Sequence, residues 1–167
     1  IEIGYMKSLT GDYSDASRCC EESIEIFEKL GDPKLVARTK SPLCWSYLHQ
    51  FLPDQAEPIA EEVLRVALQF QMERELIFAR HFWADCPLLR EEYDEAQIRY
   101  GEAVKAALAV GNIVQASTEV LGMATTYAGQ SRYHKAIRLD GAVSATHEEY
   151  GVTYPYMEFW HGTLEKT

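Results

Sequence analysis

His81 and Asp85 stand four residues apart, the separation at which two side chains on one helix face can share a metal ion. Two ligands alone hold a metal weakly, and no third is apparent in the sequence, so a hydrogen-bonded surface pair is the expected reading. Cys19-Cys20 could form a redox pair, but both fall on the apolar stripe of one amphipathic stretch, and buried, inert thiols are expected there. His147 fills the position held by Phe27, Ala67 and Ala107 at steps of forty residues, which makes it a half-buried packing histidine. The paired acids Glu61-Glu62 and Glu91-Glu92, like His134-Lys135 and Glu148-Glu149, belong to helix exteriors. Acid–base catalysis would need two such groups in a shared pocket. No glycine-rich phosphate cradle and no nucleophile motif occurs. These residues argue against an enzyme, and neither a metal nor a cofactor is expected.

Composition narrows the remaining classes. The 167 residues carry 16 Lys plus Arg against 26 Asp plus Glu, a net charge of −10. A general nucleic-acid binder needs a basic face that displaces counterions from phosphates, so direct nucleic-acid binding is not expected. A hydrophobic fraction of 47% is far above that of a disordered chain. No apolar run approaches the length of a membrane span. The four cysteines show no CxxC spacing, and no signal-peptide pattern precedes them, which fits a reducing cytoplasm. The chain opens at Ile1, without methionine and within an apparent helix, and is expected to be a segment of a longer protein.

The elements that must position any site are helices. From Tyr13 to Leu30 the apolar residues Ala16, Cys19, Cys20, Ile24, Phe27 and Leu30 recur at steps of three and four, apart from the adjacent cysteines, which marks one stripe of an amphipathic helix. Gly31 suits the left-handed stop beyond a helix end, and Asp32-Pro33 reads as an N-cap followed by proline in the first turn. Further helices are expected over Lys34–Gln50, Gln55–Gln71, Glu73–Leu89, Tyr93–Val110, Asn112–Gly129 and Tyr133–Tyr150. Pro42 predicts a kink or a late start in one of them, and Pro87 predicts an early end in another. Strand alternation and hairpin signals are absent, so the fold class is all-α. Ala16, Ala56, Ala96 and Ala136 are spaced by forty residues, and Tyr13, Tyr93 and Tyr133 keep the same register. Such a fixed spacing is the signature of a helical-repeat array.

The residues at these positions resemble the tetratricopeptide repeat (TPR). The small first-helix slot reads Gly4, Cys44, Ala84 and Ala124, and the large slot before it Ile3, Leu43, Trp83 and Met123. The second-helix series reads Ala16-Cys20-Ser23, Ala56-Ala60-Val63, Ala96-Tyr100-Ala103 and Ala136-Asp140-Val143. Two of four aromatic slots, Lys7 and Pro87, depart from the pattern, and Tyr47 and Tyr127 keep it. Longer repeats of this kind are similar to the sensor arrays of LuxR-type regulators, within the signal-transduction ATPases. Glu21-Glu22-Ser23-Ile24 through Leu30-Gly31-Asp32, and Ala136-Ile137-Arg138-Leu139-Asp140-Gly141-Ala142, carry that likeness. The resemblance implies a single domain, a right-handed TPR-like α-solenoid of about four helix pairs: 1–31 (partial), 32–71, 72–111 and 112–151. A capping helix over 152–167 would follow, with Phe159 and Trp160 covering the last repeat.

In such arrays the first helix of each pair lines the concave side. Carried over slot by slot, that side would hold Tyr5, Arg38, Trp45, His49, Phe78, His81, Asp85 and Leu121. Cationic and aromatic groups gathered there suit a protein or extended peptide partner, or an anionic small ligand. The expected function is non-enzymatic recognition by the sensor or interaction segment of a cytoplasmic signalling or transcriptional regulator. The alternative is a stand-alone adaptor that bridges partners. Trp45 and Phe78 could instead pack between repeats.

Overall fold

The computed structural model describes Gly4, Met6, Lys7 and residues 10–152. Gly4, Met6 and Lys7 are helical, and seven helices run through residues 10–152: α1 (Tyr13–Leu30), α2 (Pro33–His49), α3 (Pro53–Phe70), α4 (Glu73–Leu89), α5 (Tyr93–Ala109), α6 (Ile113–Gly129) and α7 (Tyr133–Tyr150). No strand occurs among the described residues. No helix among them is long and apolar enough to cross a membrane. The capping segment, with Phe159 and Trp160, lies outside the described residues, as does Tyr5.

The helix ends follow the local chemistry of the chain. Gly31 takes the left-handed conformation (φ 67°), so its N–H reaches the Glu28 carbonyl and that of Asp32 reaches the Phe27 carbonyl. The Asp32 carboxylate then accepts from the Lys34 and Leu35 N–H groups at 3.0 and 3.1 Å, and Pro33 opens α2 without a donor to satisfy. Asn112 caps α6 by accepting from the Gln115 N–H.

Two expectations about proline are corrected. α2 does not start late, because it begins at Pro33 and continues through Pro42, which is buried. α4 does not stop at Pro87 but runs two residues further, to Leu89. A proline removes one ladder bond, and the burial of the surrounding turn outweighs that loss in both helices.

The chain divides into two compact units, Ile1–Cys86 and Pro87–Thr167. In the first, α2 packs against both α1 and α3. Cys20 and Ile24 of α1 meet Val36 and Leu43 of α2, with Phe27, Tyr47 and Ile59 at the margin. Ala37, Val66, Ala67 and Met72 form a second cluster that reaches Leu76 of α4. In the second unit α6 packs against both α5 and α7. Tyr100 of α5 is wholly buried, and its ring lies against Gly122 of α6 so closely that a β-carbon there would sit 2.2 Å from Cε1. Gly129 receives the Tyr93 ring in the same way. Within each unit, consecutive helices pack side by side, as in a solenoid-like repeat. The six corners between α1 and α7 each contain one residue at positive φ (Gly31, Phe51, Gln71, Glu91, Gly111 and Ser131), and Gly11 before α1 and Gly151 after α7 also take positive φ.

Candidate functional site

α2 and α4 of the first unit bring most of the expected residues together. On α2, Arg38, Trp45 and His49 follow at steps of seven and four. On α4, Glu75, Phe78, Phe82 and Asp85 follow at steps of three and four, and both series are helical stripes. A continuous set of ring contacts joins the two helices to α1. Tyr13 stacks on His49 with centroids 4.8 Å apart, and Trp45 stacks on His49 at 5.0 Å. Trp45 meets Phe82 edge-on at 6.0 Å, and Phe82 stacks on Phe78 at 6.0 Å. Offset and edge-to-face arrangements of this kind are the favoured geometries for aromatic pairs.

Charge is sorted by depth. The Arg38 side chain is 59% exposed, and its Nε lies 3.4 Å from Oε1 of Glu75, which is only 9% exposed. Arg74 is exposed and sits over the Phe78 ring, 5.6 Å from its centroid. Asp85 is buried beside His81, with Oδ2 3.5 Å from Nε2. The acids Glu75 and Asp85 are therefore buried, while Arg38 and Arg74 are largely exposed and Trp45, His49 and Phe78 are half-buried. No family model and no curated protein matches this chain.

Placement differs from expectation at three positions. His81 and Asp85 are not a surface pair but an interior one, because the stripe of α4 that carries them turns inward, where His81 also contacts the Phe82 ring. Leu121 belongs to the second unit and is 1% exposed, since α6 is packed on two sides by α5 and α7. Sequence reasoning overlooked Glu75, Phe82 and Tyr13. Tyr13 stands in the sequence only as a position of the forty-residue register, and no spacing singles out Glu75.

The remaining reactive groups are occupied or buried. Burial pushes the Cys20 thiol up to about 11, and burial with the nearby Cys86 and Asp85 holds that of Cys44 well above its ordinary value. Cys19, by contrast, is half-exposed. In the second unit, Ser117 Oγ lies 2.9 Å from His147 Nε2, but the hydroxyl donates to the Val114 carbonyl, and both side chains are buried. That pair is turned inward and is not poised as a nucleophile and base. Among the described residues, no three His, Cys, Asp or Glu side chains gather as metal ligands would.

Burial, with His81 adding, holds His49 in its neutral form, its pKa pushed down to about 4 from 6.5. The unfolded chain therefore takes up a proton as pH falls below 6.5, while the folded chain resists until about 4. Stability linked to His49 is present above that window and lost through it. Allowing for partial exposure, the expected loss between pH 7.5 and 4.5 is about 2 kcal/mol. Urea unfolding of wild type and His49→Phe at both pH values measures it. A gap between the two proteins that does not change with pH would show that His49 is not held neutral.

Proposed function

We propose that this chain is a non-enzymatic binding module that recognises an acidic protein segment or peptide on the α2–α4 face. The reading takes the fold as a right-handed TPR-like array with a forty-residue repeat. It takes the chain as the sensor or interaction segment of a cytoplasmic signalling or transcriptional regulator, as the likeness to LuxR-type arrays implies. The observation that carries it is the exposed Arg38 on the helix that also carries half-buried Trp45 and His49, paired across to α4 through Glu75, in a protein whose net charge is −10. On such a surface a cation aims an anionic group, and desolvated rings supply the contact area.

The test uses fluorescein-labelled hexapeptides of repeated Glu-Glu-Phe and of repeated Lys-Lys-Phe. Fluorescence polarisation is expected to show binding of the acidic peptide alone. Arg38→Ala and Trp45→Ala should each weaken it by about 1–2 kcal/mol, as loss of an interface anchor does. Circular dichroism at the assay temperature should show both variants folded, so that the loss is one of binding. Equal binding of both peptides, or indifference to Arg38→Ala, would remove the reading.

A further inference from the structure

We infer that Glu75 is a positioning residue for the α2–α4 face: it grips Arg38 from beneath and presents the guanidinium outward in a binding-ready orientation. The inference rests on the recognition reading above and assigns a role to a residue outside the expected site. An arginine side chain has several freely rotating bonds, and fixing them on binding costs affinity. Glu75 fixes them beforehand. Its carboxylate is 9% exposed and meets Arg38 at Nε, the inner nitrogen of the fork, across 3.4 Å. The outer edge, with its two terminal amino groups, is the part that pairs with a carboxylate through two parallel hydrogen bonds. The side chain that carries it remains 59% exposed. The pair also bridges helices, since Arg38 belongs to α2 and Glu75 to the first turn of α4. The guanidinium is therefore referenced to both.

A competing physical effect makes the sign of the outcome decisive. Glu75 also offsets part of the positive charge on Arg38, and as a mere competitor it would weaken anion binding. Preorganisation predicts that removing Glu75 loosens the complex, whereas competition predicts that it tightens it.

The experiment uses the 167-residue chain and the labelled Glu-Glu-Phe hexapeptide. Glu75→Leu is expected to weaken binding about tenfold, the range of one lost charge-assisted contact. Glu75→Gln keeps an acceptor for Nε and should recover part of that loss. In an Arg38→Ala background Glu75→Leu should have no further effect, because the residue acts through the arginine. Without peptide, the Arg38 Nε–H resonance should be shifted and protected from exchange in wild type, and should lose both properties in Glu75→Leu. Tighter binding by Glu75→Leu, or an equal loss in the Arg38→Ala background, would overturn the inference while leaving the recognition reading in place. Failure of wild type to bind the peptide removes the recognition reading and, with it, this role for Glu75. The Nε–H resonance would then still report the ion pair as a structural contact.

Discussion

Tyr100→Ala is expected to destabilise the second unit by about 3–5 kcal/mol, the range for deleting a large buried ring. Tyr100 is fully buried, and its ring fills the space that Gly122 leaves open. Removing the ring opens a cavity between α5 and α6, and the backbone of Gly122 has no side chain with which to refill it. The reciprocal substitution is the sharper test. Gly122→Ala gains roughly 1 kcal/mol of helix propensity in isolation. Here the new methyl group would stand 2.2 Å from Cε1 of a wholly buried ring. Overpacking costs about 1–3 kcal/mol, so a net loss is expected despite the better helix former. Combining Gly122→Ala with Tyr100→Ala should remove the clash and make the alanine favourable. Denaturant titration of the four proteins gives the coupling. A stabilising Gly122→Ala in the wild-type background would mean that the ring does not occupy that space.

The corners offer the opposite sign. Phe51, Gln71, Glu91 and Ser131 hold φ between 54° and 61°, a region that side chains disfavour by about 1–2 kcal/mol each. All four side chains are exposed, so shortening them removes little packing. Replacement by glycine is expected to stabilise by about 0.5–1 kcal/mol per site, once the greater freedom of glycine in the unfolded chain is subtracted. The four sites lie in separate corners and should add, giving about 2–4 kcal/mol for the quadruple variant. That gain should raise the melting temperature by several degrees, at about 2–4 °C per kcal/mol for a chain of this size. A quadruple variant that melts at or below wild type would show that these corners relax to another conformation, or that their side chains make contacts worth more than the strain.

Much of the fold was legible because helix signals are local. Gly31, Asp32 and Pro33 announce one corner outright, and the periodic alanines place the buried stripe of α1, α3, α5 and α7. Four corners turn without glycine, so their left-handed residues carry no signal of their own. Pro42 and Pro87 were misread because a local rule about a missing N–H says nothing of the packing that outweighs it. The site was less legible than the fold. Spacing by four puts His81 and Asp85 on one stripe of α4, but whether that stripe faces solvent depends on neighbouring helices. Glu75 was invisible for the same reason, because its partner Arg38 lies on a different helix. Arg38, Trp45, His49 and Phe78 could be grouped because each sits on the first helix of a pair. The join of Tyr13 to His49 required knowing how α1 meets α2.

The one-left-handed-residue corner has a consequence for inherited changes in length. Such a joint has little slack: only two or three residues separate one helix from the next, and one of them is left-handed. An added residue inside a helix would rotate everything beyond it by about 100°, moving the buried stripe to the outside. An added residue in a corner would displace the single position that takes positive φ. Loops in most domains absorb small insertions and deletions, but between α1 and α7 almost no stretch can. Viable length variants of this gene are therefore expected to gain or lose whole helices with their corners, as unequal crossing-over between similar segments produces, and only rarely one or two codons.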